Sequence, residues 1–148
     1  MALSGRSVRK FTKAESFQLF MEGLRSLQSY DEEADKDQPS DEDILNERLC
    51  KAEEFFRKCF DNYPRDILPR YYLGLVLSIR GQIEQARQLR SELKGKDPKT
   101  IPNDPDALFL QAAKIFEQIA DEVGRGDLLA YAQYNQAQAL AKTGPLRS

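Results

Sequence analysis

Apolar residues recur along most of this chain at spacings of three and four positions, which places them on one face of an α-helix. The first such stripe comprises Phe17, Phe20, Leu24 and Leu27. Thr12, with Glu15 three residues later, matches the capping box that opens many helices. The pattern therefore predicts a first helix that begins after Thr12 and ends near Tyr30.

Three further helices are predicted between residues 40 and 95. The second helix has Ser40, followed by Asp43, as its predicted N-cap and ends before Pro64. Its apolar stripe comprises Leu45, Leu49, Ala52, Phe56, Cys59 and Tyr63. The third helix is predicted to start after Asp66 and to stop at Gly81. The stripe of the fourth helix comprises Ile83, Ala86, Leu89 and Leu93.

The last two predicted helices complete an all-α chain of about six helices. Helix five starts at Asp104 and ends at Gly124, and helix six runs from about Asp127 to Thr143. The stripe of helix five comprises Phe109, Ala112, Ala113, Phe116, Ala120 and Val123. A buried strand over Tyr71–Ile79 is the alternative in this region, and it is disfavoured because glycine weakens a strand interior.

The middle of the chain resembles a tetratricopeptide repeat, a helical hairpin with a period of roughly 34 residues. The resemblance rests on the spacing of Leu73, Gly74, Leu77, Gly81, Ala86, Leu93 and Pro98. A first unit matches less closely, through Phe20, Gly23, Leu24, Leu27, Ala52, Phe56, Cys59 and Pro64. The register of the third unit stays open, since an alternative alignment starts a further, truncated repeat at Asn135, Ala137, Leu140 and Gly144.

The resemblance implies a fold and a binding surface. The fold is a right-handed superhelix of three antiparallel helix hairpins, forming one domain over residues 14–144 between a flexible basic segment, 1–13, and a tail, 145–148. The opening helices of such hairpins line a concave groove. The groove residues implied here are Met21, Arg25, Gln28, Tyr71, Leu75, Ser78, Leu110, Lys114 and Gln118. Burial of Tyr71 and Leu75 by neighbouring helices is the competing interpretation.

Residues 31–43 form the clearest shift in composition. They hold eight acids against one lysine, a local net charge of −7 that leaves the remainder of the chain at +5. An acidic loop inserted between the paired helices of the first unit accounts for this stretch. It is expected to be solvated, with two alternatives: covering the basic groove or docking a basic partner.

Composition narrows the function. The chain of 148 residues is 41% hydrophobic and 31% charged, as in soluble globular proteins, and no apolar run is long enough for a membrane span. Histidine is absent, which removes the commonest general base and the usual zinc ligands, so no enzyme activity, metal site or cofactor is expected. Cys50 and Cys59 fall on opposite sides of one helix and cannot pair, which agrees with a cytoplasmic protein.

The sequence thus predicts a protein-interaction module, acting as an adaptor, a scaffold or a sensing domain. The expected partner is a protein or peptide carrying acidic residues that binds in the concave groove, and no nucleic acid is expected. The alternative is a self-assembly module that uses the convex face or the terminal helix. That helix carries Ala130, Ala132, Ala137, Ala139 and Leu140.

Overall fold

The structure is a computed structural model that describes residues 11–36, 41–95 and 104–143. Five α-helices make up most of these residues: α1 (Lys13–Ala34), α2 (Glu42–Asn62), α3 (Ile67–Leu93), α4 (Pro105–Val123) and α5 (Asp127–Ala141). The described ranges contain no β-strand, so the predicted all-α class is confirmed and the strand alternative over Tyr71–Ile79 is wrong. None of these helices is both long and apolar enough to cross a membrane.

Local capping explains several helix ends as predicted. The Thr12 side chain accepts a hydrogen bond from the Glu15 amide, and the Glu15 carboxylate accepts one from the Thr12 amide at 2.9 Å, which completes the capping box. Asp104 caps the start of α4. Gly124 ends α4 in the left-handed conformation, with φ of 69°, which a side chain would disfavour.

The predicted break at Gly81 is wrong, because α3 continues through it for 27 residues. Helices three and four of the sequence prediction are therefore one helix, and the hairpin predicted over residues 67–100 does not form. A glycine inside a helix costs only about 1 kcal/mol relative to alanine. Gly81 lies directly against the ring of Phe109 on α4, so its missing side chain serves close packing and does not end the helix.

The acidic stretch 31–43 includes the end of one helix and the start of the next. Residues 31–34 form the end of α1, which extends one turn beyond its predicted end, and residues 42–43 open α2. Asp41, and not Ser40, is the N-cap of α2, and its side chain accepts a hydrogen bond from the Asp43 amide. Ser40 and residues 37–39 lie outside the described residues, as do residues 1–10, 96–103 and the tail.

Each helix packs mainly on the next one in the chain, from α1 on α2 to α4 on α5. The largest fully buried side chains come from the three central helices: Phe56, Phe109, Phe116, Leu49, Leu73, Leu77 and Ile119. Cys50 is exposed and Cys59 is buried, and both are free thiols, as predicted. The core therefore lies in α2, α3 and α4, while α1 and α5 cover its two sides.

Two helix pairs repeat the same close contact. Gly23 on α1 lies against the ring of Phe56 on α2, and Gly74 on α3 lies against the ring of Phe116 on α4. The absent side chains let the two helices of each pair approach closely. The pairs α1–α2 and α3–α4 therefore share one kind of close glycine–phenylalanine contact.

Ion pairs hold the second half of α3 against α2. Arg80 pairs with Glu53, and Arg87 bonds Asp43 at 2.9 Å and Glu42 at 3.3 Å. Glu84 is completely buried between them, where one of its oxygens accepts from Arg87 at 3.5 Å. Helix α2 thus fixes one side of the extended α3 and leaves another side uncovered.

Candidate protein-binding face

Among the described residues, one side of α3 is exposed at both ends of the helix and half-buried in its middle. Eight residues at spacings of three and four define it, and we call this surface the α3 face: Leu68, Tyr71, Leu75, Ser78, Gln82, Ala86, Leu89 and Leu93. At a rise of 1.5 Å per residue it is about 37 Å long. Leu68, Leu89 and Leu93 are 53%, 57% and 78% exposed, whereas Tyr71 and Leu75 are half-buried.

Helices α1 and α5 border the α3 face on its two edges. On the α1 edge, the ring of Phe20 lies 5.9 Å from the ring of Tyr72, measured between centroids. On the α5 edge, the Asn135 amide donates a 3.0 Å hydrogen bond to the Tyr71 hydroxyl, and the Gln85 amide donates one to the Lys142 carbonyl. These three contacts place α1 and α5 along the two edges, so that the α3 face is the floor of a shallow groove.

A cleft of about 480 Å³ opens at the amino-terminal end of the α3 face, between the first turns of α1 and α3. Its apolar lining comprises Phe17, Phe20, Ile67, Leu68 and Pro69. Lys13, Arg65 and Asp66 supply the charges at its edge, and Phe17 is exposed. The cleft can therefore accept a large apolar side chain beside a net positive rim.

A second hollow, of about 410 Å³, lies along the carboxyl-terminal half of the same helix. It is lined by Gln82, Gln85, Ala86, Gln88, Leu89 and Glu92. Ala86, Leu89 and Leu93 were predicted to pack back as the stripe of a separate helix. They are exposed instead because α3 is continuous and does not fold back on itself.

The predicted groove residues on α3 lie on the α3 face, though not freely exposed. The ring of Tyr71 contacts the rings of Tyr72 and Phe116, with centroids 5.8 and 5.7 Å away, and Leu75 packs against the core. Burial raises the pKa of the Tyr71 phenol, and the hydrogen bond from Asn135 opposes that shift only in part. Tyr71 thus acts as a neutral, positioned aromatic group.

The predicted residues on α1 are one position away from the structural equivalents of those on α3. Superposing Gly23 on Gly74 makes Phe20, Leu24 and Leu27 equivalent to Tyr71, Leu75 and Ser78. All three of these α1 residues are packed against the core. Met21 is half-buried beside them, while Arg25 and Gln28 are exposed, and Arg25 pairs with Glu22.

The predicted residues on α4 do not join the α3 face. Leu110, Lys114 and Gln118 are exposed, and their spacing of four puts them on the side of α4 opposite Phe109 and Phe116, which pack toward α3. The sequence prediction took α4 as the opening helix of a third unit. Because α3 is continuous, α4 is the second helix of the pair α3–α4, and α5 borders the groove in its place.

Sequence reasoning missed Phe17, Leu68 and Asn135 as groove residues. The sequence did not indicate Leu68 as a groove residue because Leu68 belongs to none of the apolar stripes of the predicted hairpin, although it lies three residues before Tyr71.

The described part of the chain has no group of three or more acidic, cysteine or histidine side chains placed to hold a metal ion. No family model, curated protein or solved structure matches this chain.

Proposed function

We propose that this protein is an adaptor that binds a segment of another protein along the α3 face. The observation that carries the proposal is the α3 face, with exposed leucines at both ends, a half-buried middle and an apolar cleft at one end. Complete burial of a leucine contributes about 1.5–3 kcal/mol relative to full exposure. Covering the exposed fractions of all three leucines therefore contributes about 3–6 kcal/mol toward binding, and the apolar cleft adds further area.

The form of the face favours a helical or extended peptide with apolar residues at both ends. Leu68 and Leu89 are 21 residues apart on one helix, which separates them by about 31 Å. Ser78 and Gln82 lie between these two leucines and are polar but uncharged, so they suit a peptide whose middle residues are polar. Lys13 and Arg65 beside the cleft favour acidic residues at that end of the partner, as the sequence suggested for the groove in general.

The proposal includes a tetratricopeptide-like superhelix, with α1, α3 and α5 along the inner side. Its support is the equivalence of the Gly23–Phe56 and Gly74–Phe116 contacts, together with the borders that α1 and α5 give the α3 face. Two free cysteines favour a cytoplasmic location, which belongs to the same proposal. We propose no catalytic role.

Selection of peptides from a random display library tests the function and requires no identified partner. Leu68→Arg and Leu89→Arg each place a charge on the α3 face, and we expect either change to weaken the selected peptides at least tenfold. Gln118→Arg adds the same charge on the exposed side of α4 and should bind like the unchanged protein. Circular dichroism is used to check that all variants remain helical.

The opposite result is equally clear. Selected peptides that bind the Leu68→Arg and Leu89→Arg variants undiminished, but lose affinity for the Gln118→Arg variant, would move the binding surface to α4. The absence of any enriched peptide that binds the folded protein would contradict the adaptor proposal itself.

A further inference from the structure

The described residues leave a second helix surface exposed, the outward side of α5, which is separate from the α3 face. Helix α5 packs inward through Ala132 and Ala139, which are fully or almost fully buried. Ala130, Tyr134, Ala137 and Ala141 form the opposite side, at spacings of four, three and four. All four are exposed, and Tyr131 and Leu140 at the margins are exposed as well. We call this surface the α5 face.

Large aromatic groups make the α5 face more than a row of small residues. Tyr131 and Tyr134 are 59% and 63% exposed. Tyrosines that become buried in a protein interface contribute apolar area while their hydroxyls keep hydrogen bonds. The alanines beside them leave grooves into which the tyrosine rings of a facing helix can pack.

Polar contacts on both flanks fix α5 in position. Besides the bond from Asn135 to Tyr71, the Gln136 amide donates a 3.3 Å hydrogen bond to the Glu117 carboxylate on α4. The α5 face is thus held in one orientation by α3 and α4. A surface fixed before binding loses less conformational entropy when a partner covers it.

Charge identifies which partner fits the α5 face. Among the 15 residues of α5, the only Asp, Glu, Lys or Arg is Asp127, at the first position, and Lys142 directly follows the last. The middle of the surface contains only alanine, tyrosine, glutamine and leucine. It offers no charge to attract a strongly acidic or basic partner, and it does not repel another copy of itself.

We propose that α5 of a second copy of this chain docks antiparallel on the α5 face and forms a symmetric dimer. Asp127 and Lys142 are equally far along the sequence from the midpoint between Tyr134 and Asn135. An antiparallel pair with its two-fold axis at that midpoint therefore places Asp127 of each copy near Lys142 of the other. A two-fold contact of this kind is closed, so association stops at the dimer.

Sedimentation equilibrium of the full chain over a range of concentrations tests this proposal. We expect a monomer–dimer equilibrium and no larger species. Ala137→Arg places two like charges near the axis and should raise the dimer dissociation constant at least tenfold. Ala14→Arg is the matched control, because Ala14 is an exposed helical alanine on α1, and it should leave the equilibrium unchanged. Both variants are first checked for helicity by circular dichroism.

Oxidative cross-linking tests the orientation directly. Tyr134→Cys in a Cys50→Ser background places one exposed thiol beside the axis, and we expect a covalent dimer on mild oxidation. The corresponding Ala14→Cys variant should stay monomeric under the same conditions. The exposed native thiol of Cys50 has to be removed, because it could cross-link by itself.

Three results would overturn the dimer proposal. They are a monomer at every concentration, a dimer that Ala137→Arg leaves intact, and a series of masses that grows beyond two copies. A dimer lost in the Leu89→Arg variant but retained in the Ala137→Arg variant would place the contact on the α3 face instead. The first three results leave the peptide-binding test untouched, because that test relies on Leu68 and Leu89 and not on residues of α5.

Discussion

Two glycines determine how closely the helices of each pair approach. A methyl group added at Gly74 would lie 2.7 Å from Cζ of Phe116 and 2.9 Å from its Cε1, and Phe116 is completely buried. The ring therefore has no solvent-filled space into which it can move. Gly23 and Phe56 form the equivalent contact between α1 and α2.

Gly74→Ala is therefore expected to bring no gain in stability and to destabilise the fold by up to about 2 kcal/mol. Alanine gains about 1 kcal/mol of helix propensity, but overpacking a buried contact costs about 1–3 kcal/mol. Urea unfolding measures the difference. Ser78→Ala, one turn further along the same helix and at the surface, should change stability little.

A second variant isolates the steric cause. Phe116→Leu shortens the opposing side chain, so adding Gly74→Ala to it should cost less than Gly74→Ala costs alone. A stabilisation of about 1 kcal/mol by Gly74→Ala in the unchanged background would contradict the contact, since propensity alone predicts that gain.

At the scale of elements, the continuity of α3 determines the architecture. Arg87 holds the second half of this helix against α2 through Glu42 and Asp43, and its side chain, 20% exposed, also bonds the fully buried carboxylate of Glu84 on α3 itself. Arg90, one turn later, is 48% exposed and pairs with Glu42 at the start of α2. The two arginines thus offer a matched comparison between a buried and a surface ion pair.

Arg87→Met is expected to destabilise the fold by about 3–5 kcal/mol, because it leaves the buried carboxylate of Glu84 without its cation. Arg90→Met should cost less than about 1 kcal/mol, as is usual for exposed pairs. Chemical unfolding of the two variants provides the measurement. Replacing Glu84 by Met together with Arg87→Met should recover much of the loss, and equal effects of the two single changes would contradict this description of α3.

Sequence patterns predicted the helical segments well and their boundaries unevenly. Capping residues such as Thr12 and Asp104 act within one turn, so the sequence alone reveals them. Gly81 could not be interpreted in the same way, because a glycine suits either a helix end or a close contact inside a helix. Only the position of Phe109, which is distant in sequence, distinguishes the two.

At the scale of the whole molecule, the ambiguity at Gly81 explains why only some of the predicted groove residues lie on the α3 face. The prediction of Tyr71 and Leu75 depended only on the local periodicity of α3, and both residues lie on the α3 face. The prediction of Lys114 depended on taking α4 as the opening helix of a further pair, whereas the continuous α3 makes α4 its own packing partner. The outward leucines at the end of α3 were expected to be covered for the same reason.

The most direct test of the central claim is to map a bound peptide on the protein by nuclear magnetic resonance. A peptide selected on the unchanged protein is titrated into the isotopically labelled chain, and backbone amide shifts are followed. We predict that the largest changes follow the α3 face from Leu68 to Leu93 and its borders on α1 and α5. Changes confined to the exposed side of α4, around Leu110, Lys114 and Gln118, would contradict the account.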